Sequence, residues 1–338
     1  MNKKRVLAML LAGAMALSMT ACGGNSASTD GSSNDGGASA SGGSYKGSVI
    51  LKTLAAEYWQ YVKSGAEDYA SEHSDKVTVE VKGPSSETAF DEMQNMIETD
   101  LSSGSYDGIV ISPLQSDTAA QLVSGTKLPI VAIDTNFTAP EVKSFVGTGN
   151  EAAAKKGGEA AVEAAKAAGW TDIKCIEIAG VQGDQTNTAR MNGYKAGVEE
   201  AGGTFLSDEV QYADATADRA TTAMEAIMQT HPEGIAIICA NNDDMAMAAA
   251  RAAQGHDAYK NTIFLGFNGD RAACEAILAG QMTMSVAQMA YEMGYKAVET
   301  MVQVLDGETV DEFVDSGSDV VTPDNAQERL DTLKTQLH

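Results

Sequence analysis

Short apolar runs alternate with helical patterns along most of this chain, and the alternation occurs in two successive series. The apolar runs predict strands at 48–51, 77–81, 108–111 and 129–133, and then at 173–178, 204–210, 234–239 and 263–267. Helices are predicted between them at 58–72, 87–101, 118–124, 152–168, 188–201, 216–229, 244–254 and 272–279. Strands and helices that alternate in this way form parallel sheets covered on both faces. We therefore predict an α/β fold with two doubly wound parallel-sheet lobes.

The amino-terminal segment has the order of a secretory signal. Three basic residues precede an apolar run over 6–17, which is too short to span a membrane, and small residues then lead to Cys22. This cysteine resembles the lipidation site of a bacterial lipoprotein, so we predict a signal peptide over 1–21 and lipid on Cys22. An ordinary signal peptide with an incidental cysteine is the alternative. The Gly- and Ser-rich composition of 22–46 predicts a flexible tether.

The charge of the chain excludes one class of partner. The sequence has 23 Lys and Arg against 47 Asp and Glu, a formal net charge of −24. Such a charge repels phosphate backbones, so we expect no nucleic-acid binding. It identifies no other partner, and a role in solubility is the simplest interpretation.

Three cysteines follow Cys22, which is an odd number for an exported protein. Cys175 and Cys239 lie in apolar strand patterns, where cysteine usually behaves as a small hydrophobic residue. We expect free buried thiols at these positions and at Cys274. A disulfide between Cys239 and Cys274 is the alternative.

Polar amides end three of the apolar runs in the second half of the chain. Asn242, Asn268 and Gln288 follow or close the segments around 234–239, 263–267 and 282–288. Ligands of open α/β sheets bind beyond the carboxyl ends of the strands, so these side chains should meet in one crevice. Amides offer both donors and acceptors, which suits a neutral ligand rich in hydroxyl groups.

No pattern in the sequence indicates catalysis. An exported hydrolase would need a nucleophile with its base or a carboxylate pair, and neither a G-x-S-x-G nor an H-E-x-x-H motif occurs. The adjacent pair Asp243 and Asp244 is more typical of a helix start. We therefore expect a binding protein with no catalytic residue, no cofactor and no metal.

A series of short motifs carries a family resemblance. They are L-K-T-L at 51–54 followed by two aromatics, I-S-P-L at 111–114, A-I-D at 132–134, T-A-R-M-N-G at 188–193, N-N-D-D-M-A at 241–246, G-F-N-G at 266–269 and V-A-Q at 286–288. In this order and spacing, over about 48–303, the chain resembles type I periplasmic sugar-binding proteins of the ribose- and D-allose-binding branch.

The resemblance implies two lobes that close like a hinge on one sugar. The three chain crossings would fall near 146–148, 286–289 and 315–319. The amino-terminal lobe would contain 47–147 plus 289–316, and the carboxyl-terminal lobe 148–288 plus 317–338.

The resemblance also implies a set of ligand-binding residues. Tyr58 and Trp59 would stack on the sugar ring, although they could instead staple the start of a helix. Asp134 would accept hydrogen bonds from two hydroxyls or cap a turn, and Arg190 would contact the ring or form a surface salt bridge. The remaining implied ligand residues are Lys52, Ser112, Asn242, Asn268 and Gln288.

Departures from the family pattern bear on the identity of the ligand. An aromatic residue common near Asp214 is replaced by Ala215, a frequent Asn is replaced within the pair Ala55 and Ala56, and Thr135 stands where ribose binders carry Arg. Asn268 occupies a position usually held by Asp. Because an amide also donates, we expect the ligand to present an acceptor opposite Asn268.

The resemblance implies that the chain is an extracytoplasmic solute-binding lipoprotein of an ABC sugar importer. Its ligand would be a monosaccharide of the allose, ribose or ketose kind, its partners the permease subunits, and its state a monomer that touches the membrane only through its lipid. The alternatives are a polyol or furanone-signal binder, or a protein that delivers its ligand to a chemoreceptor or sensor kinase. A sugar-responsive repressor would need a basic helix-turn-helix where this chain has a tether.

Overall fold

The computed structural model describes residues 44–337. The predicted signal peptide, the lipidation site at Cys22 and nearly all of the predicted tether lie outside the described residues.

The first lobe is built on a parallel sheet. Within residues 44–337 this sheet has six strands in the order β12-β5-β4-β3-β1-β2. They are β1 (Tyr45–Ile50), β2 (Val77–Lys82), β3 (Gly108–Ile111), β4 (Ile130–Ile133), β5 (Val142–Gly147) and β12 (Phe313–Asp315). The helices of this lobe are α1 (Glu57–Glu72), α2 (Phe90–Ser103), α3 (Ser116–Leu122) and α9 (Ala290–Leu305).

Both faces of this sheet are covered. Successive strand residues point to opposite sides, so neighbouring residues of one strand pack in different cores. Val110 packs in the core that contains α1 and α9, whereas its neighbours Ile109 and Ile111 pack in the core beneath α2 and α3. Strands buried on both faces read as continuous apolar runs, which is why β3 and β4 could be recognised in the sequence.

The second lobe has a sheet of similar design. In the described part of the chain its order is β13-β11-β10-β9-β6-β7, with β8 also paired to β6 and only β13 antiparallel to its neighbour. The strands are β6 (Lys174–Ala179), β7 (Thr204–Phe205), β8 (Gln211–Tyr212), β9 (Ile237–Ala240), β10 (Ile263–Asn268), β11 (Met284–Gln288) and β13 (Ser318–Val321). The helices are α4 (Asn150–Ala167), α5 (Gln185–Glu200), α6 (Ala217–Thr230), α7 (Asp243–Ala253), α8 (Arg271–Leu278) and α10 (Ala326–Lys334).

The fold class predicted from the sequence is confirmed, with one wrong element. The strand predicted over 204–210 is two short strands, β7 and β8, separated by a single 3₁₀ turn over Ser207–Glu209. Ser207 and Asp208 are exposed in this turn, which interrupts the strand predicted across it.

The chain passes between the two sheets at three places in the described residues: between β5 and α4, between β11 and α9, and between β12 and β13. Arg329 of α10 supports the second crossing, because its Nη2 donates to the carbonyl of Gln288 at 2.7 Å and its Nε to that of Gly269 at 3.2 Å.

Cys175, Cys239 and Cys274 are buried and unbridged, so the alternative disulfide between Cys239 and Cys274 is not formed. Instead, the Sγ atoms of Cys175 and Cys239 lie 3.3 Å apart on the neighbouring strands β6 and β9. Among residues 44–337, no helix combines the length and the apolar character needed to cross a membrane.

Candidate functional site

A cavity of about 40 Å³, here called the inner cavity, lies between the carboxyl ends of the two sheets. Seven of the nine residues implied by the resemblance line it: Lys52, Tyr58, Trp59, Asp134, Arg190, Asn242 and Asn268. Polar residues of both lobes thus face the same small space.

The two aromatic residues occupy the first turn of α1. Both rings are buried and meet edge to face, with centroids 4.9 Å apart and planes at 81°. Tyr58 donates from its hydroxyl to Asp134 Oδ1 at 2.9 Å, and Trp59 donates from Nε1 to Glu87 Oε1 at 3.1 Å. These hydrogen bonds fix the orientation of the rings at the cavity wall.

Asp134 follows β4 in a left-handed backbone conformation, with a φ of 61°. Its carboxylate accepts from Tyr58 and, through Oδ2, from Thr135 Oγ1 at 2.9 Å. Non-glycine residues in this conformation cost energy and cluster at functional sites. The alternative that Asp134 only caps a turn does not account for its place in the cavity wall.

A buried ion pair spans the inner cavity from one lobe to the other. Lys52 of the first lobe donates through Nζ to Asp184 of the second and lies 3.9 Å from Asp134 Oδ2. Burial alone would lower the pKa of Lys52, but Asp184 and then Asp134 outweigh it and raise this pKa above its usual value. Lys52 is therefore charged at neutral pH.

Two further contacts join the lobes beside this ion pair. Thr135 and Thr186 share a hydrogen bond between their hydroxyls. Glu57, at the start of α1, accepts a hydrogen bond at 3.0 Å from Nε of Arg271, which is the first residue of α8. The lobes are thus closed on each other around the inner cavity.

Arg190 of α5 is buried, and its guanidinium packs over the Phe267 ring with Cζ 3.9 Å from the centroid. Its Nε donates to Asn150 Oδ1 at 2.8 Å and its Nη1 to the carbonyl of Asn241 at 2.8 Å. The surface salt bridge considered as an alternative is therefore not what holds this side chain.

Asn268 is the last residue of β10 and Asn242 lies two residues beyond the end of β9, in agreement with their positions in the sequence. Asn242 caps α7 by accepting from the amide of Met245 at 2.9 Å. Asn268 has a φ of 133°, accepts from Gln288 Nε2 at 3.0 Å, and its Nδ2 lies 3.4 Å from Asp270 Oδ2. Both polar ends of Asn268 are therefore engaged by the protein.

Ser112 and Gln288 do not line the inner cavity. Both are fully buried, and Ser112 Oγ and Gln288 Oε1 have no hydrogen-bond partner within residues 44–337. Gln288 contributes to the site through Asn268, because its Nε2 donates to Asn268 Oδ1.

A pair of buried carboxylates lies behind Asn268. Asp243 accepts from Ser285 Oγ at 2.6 Å and from the amide of Asp270 at 3.0 Å. Burial raises the pKa of Asp243 to about 6, and burial together with Asp243 raises the pKa of Asp270 well above its usual range. A further negative charge placed behind Asn268 would therefore be energetically unfavourable.

Several residues of the cavity wall were not predicted from the sequence, including Glu87, Asp184, Thr186, Asn187 and Asn241. All of them follow the carboxyl ends of strands β2, β6 or β9, so the rule that located Asn242 could have found them. In residues 44–337, no group of three or more His, Cys, Asp or Glu side chains is placed to hold a metal ion.

Comparison with known proteins relates the chain to binding proteins of the bacterial envelope. A family model described as "Periplasmic binding protein domain" matches residues 47–309. The D-allose-binding periplasmic protein of Escherichia coli (strain K12) is 30% identical over 264 residues, which cover 75% of this chain and 82% of that protein. The ribose import binding protein of the same organism is 27% identical over 266 residues, covering 78% and 85%.

A solved structure is similar in fold. The carbohydrate transporter solute-binding protein of Agrobacterium radiobacter, in complex with D-arabinose, superposes with a TM-score of 0.77 at 24% identity, covering 87% of this chain and 99% of that one. The family model covers well over half of the chain. The chain belongs to the periplasmic binding protein family.

Proposed function

We propose that this protein captures a neutral sugar between its two lobes and delivers it to an ABC importer. The observation that carries the proposal is the inner cavity, which is lined by hydrogen-bonding groups from both lobes. A ligand held by both lobes favours the closed state, because it gains contacts there that the open state lacks. Relatives named for binding D-allose and importing ribose support this function.

The charges around the inner cavity favour a neutral ligand over an acidic one. Lys52 is paired with Asp184, and Arg190 donates to two asparagines. Four carboxylates line the cavity against these two cations: Glu87, Asp134, Asp184 and Asp244. A uronate or sugar phosphate would add charge to a buried site with a negative excess, which is costly.

In this proposal the ring of the sugar lies against Trp59 and Tyr58, whose flat faces suit its apolar C–H face. Asp134 accepts from ligand hydroxyls, and Lys52, Arg190, Asn242 and Asn268 supply further donors and acceptors. Ser112 and Gln288 act from behind the wall, Gln288 by orienting Asn268. We expect binding without catalysis, in agreement with relatives that are named as binding proteins.

A bound sugar should change the fluorescence of Trp59 and compact the molecule, as seen by titration with fluorescence and small-angle scattering. Trp170, which lies in the second lobe and donates to the carbonyl of Asn261 at 2.7 Å, should report little. If Trp59→Phe kept the whole fluorescence change while Trp170→Phe lost it, or if saturation gave no compaction, the proposed closure would be wrong.

We further propose that the protein acts outside the cytoplasm, is held at the membrane by lipid on Cys22, and works as a monomer with permease subunits. Cys22→Ser is expected to release the protein from the membrane fraction, because the lipid would be its only anchor. Fractionation and mass spectrometry of the mature amino terminus measure this. A Cys22→Ser protein that stays in the membrane fraction would contradict the lipid anchor.

A further inference from the structure

Arg190 has a donor left for a ligand in the inner cavity. Its Nε donates to Asn150 and its Nη1 to Asn241, whereas its Nη2 makes no hydrogen bond within residues 44–337. The guanidinium also packs over the ring of Phe267. Because the N–H groups of a guanidinium lie in one rigid plane, the hydrogen bonds of Nε and Nη1 fix the direction in which Nη2 donates.

Asn150 supports Arg190 without lining the inner cavity. It is the first residue of α4, is buried, and accepts from Arg190 Nε at 2.8 Å. It is absent from the cavity wall, whereas Asn241, the other hydrogen-bond partner of Arg190, belongs to that wall. A substitution at Asn150 therefore alters the support of Arg190 and leaves the other groups of the wall unchanged.

The side chain of Asn150 is held at its other end by the first chain crossing. Its Nδ2 donates to the carbonyl of Thr148 at 3.0 Å, so Oδ1 is the atom turned toward Arg190. The hydroxyl oxygens of Thr148 and Ser316 lie 3.3 Å apart, and the amide of Ser316 donates to the carbonyl of Gly147 at 2.8 Å. Ser316 belongs to the third crossing, so two of the crossings meet at the segment that orients Asn150.

We propose that Asn150 is a positioning residue for sugar binding, which connects the first chain crossing to Arg190 and sets the direction in which Arg190 Nη2 donates to the sugar. The proposal rests on sugar binding in the inner cavity and adds to it a residue that acts through Arg190 without contacting the ligand. Because the crossings join the lobes, a change in the angle between the lobes reaches Arg190 through the same contact.

The test removes the acceptor of Asn150 and then restores it. Asn150→Ala loses the oxygen that accepts from Arg190, whereas Asn150→Asp keeps one, at the first turn of a helix where a carboxylate is favourable. A thermal-shift screen of D-allose, D-ribose, D-arabinose, D-fucose, D-glucose and D-galactose on the tag-free mature protein selects the sugar that binds most tightly, and calorimetry measures its affinity for each variant. We expect Asn150→Ala to bind this sugar about tenfold more weakly than wild type, because the lost hydrogen bond has a charged donor, and Asn150→Asp to stay within about threefold of wild type.

The NMR signal of the Arg190 Nε–H group shows whether the effect passes through Arg190. This signal is identified by its absence from the spectrum of Arg190→Lys. In the ligand-free protein we expect its exchange with water to be faster in Asn150→Ala than in wild type, and slow again in Asn150→Asp. A residue that only stabilised α4 would leave the signal unchanged.

Asn325→Ala is the matched control. The side chain of Asn325, which immediately precedes α10, also bonds to the backbone at both ends: its Nδ2 donates to the carbonyl of Val320 at 3.0 Å, and its Oδ1 accepts from the amide of Thr322 at 2.8 Å. Asn325 does not line the inner cavity. Its loss should therefore lower the thermal stability and leave the affinity for sugar at the wild-type value.

Three results would overturn the role of Asn150. They are wild-type affinity in Asn150→Ala, an equal loss of affinity in Asn325→Ala, and an Arg190 signal that is the same in Asn150→Ala and in wild type. In each of these cases sugar binding in the inner cavity would stand. A wild-type protein that binds none of the sugars in the screen would overturn the proposed function together with the role of Asn150.

Discussion

Replacing Glu177 by glutamine is expected to remove a large pH dependence from the stability of this protein. Glu177 lies in the middle of β6, is completely buried, and neither carboxylate oxygen has a hydrogen-bond partner in residues 44–337. Burial raises the pKa of Glu177 to about 8, against smaller opposing effects of Arg190 and of the nearby Asn241 side chain, which approaches without forming a well-aligned hydrogen bond. The neighbouring Tyr194 and Cys239 have pKa values raised by burial and stay neutral over the range that matters.

The sign of the effect follows from proton binding. Between the ordinary pKa of 4.5 and about 8, the folded protein holds a proton on Glu177 that the unfolded chain has released. The free energy of unfolding therefore falls as pH rises, by up to about 1.4 kcal/mol per pH unit from this group alone. Glutamine has a similar shape and does not titrate, so the variant lacks this contribution.

Urea denaturation from about pH 5 to about pH 8 measures the difference between wild type and Glu177→Gln. We expect the variant to gain stability relative to wild type steadily as pH rises. Glu225→Gln, at an exposed position of α6, should give no such trend. Parallel pH profiles for wild type and Glu177→Gln would show that Glu177 ionises in the folded protein without cost.

The buried parallel strands were readable from the sequence because each is a nearly continuous apolar run. Two strands of the first sheet were not: the edge strand β12 contributes three residues that are exposed or half-buried, and in β5 the polar residues Lys143 and Ser144 interrupt the apolar ones. Helix α9 was also not predicted, although Met293, Ala297 and Met301 recur every four residues along it and all are buried. Its pattern was present in the sequence, whereas that of β12 depends on the strand beside it.

The site was predictable as a set of strand ends, but the depth of each side chain was not. Asn268 and Gln288 both end strands of the second sheet, yet Asn268 lines the inner cavity and Gln288 lies behind it. Successive residues of a strand point in opposite directions, so the last residue can face either way. The pairing of Lys52 with Asp184 depends on the approach of two lobes, for which the sequence contains no periodic signal.

Asn268→Asp is expected to weaken both folding and sugar binding, because Asn268 contacts a buried carboxylate of the protein. The sequence suggested that the amide nitrogen of Asn268 faces an acceptor on the ligand, but in the structure this nitrogen lies 3.4 Å from Asp270 Oδ2. An aspartate here would place a third carboxylate beside Asp243 and Asp270, both buried with raised pKa values. Loss of the donor and the added repulsion should lower the free energy of unfolding by about 1 to 3 kcal/mol. A loss of the same size in the free energy of sugar binding corresponds to roughly 5- to 150-fold in affinity.

The double variant Asn268→Asp with Asp270→Asn separates this effect from a direct contact with ligand. It exchanges the two groups, so an amide at 270 can donate to a carboxylate at 268 while the number of buried carboxylates returns to that of the wild type. We expect it to recover most of the thermal stability and much of the affinity lost by Asn268→Asp, as measured by calorimetry on all four proteins, including Asp270→Asn alone. Recovery of stability without recovery of affinity would mean that the amide of Asn268 contacts the ligand directly. A single Asn268→Asp variant as stable as wild type, or a double variant no better than the single one, would contradict the coupling of Asn268 to Asp270.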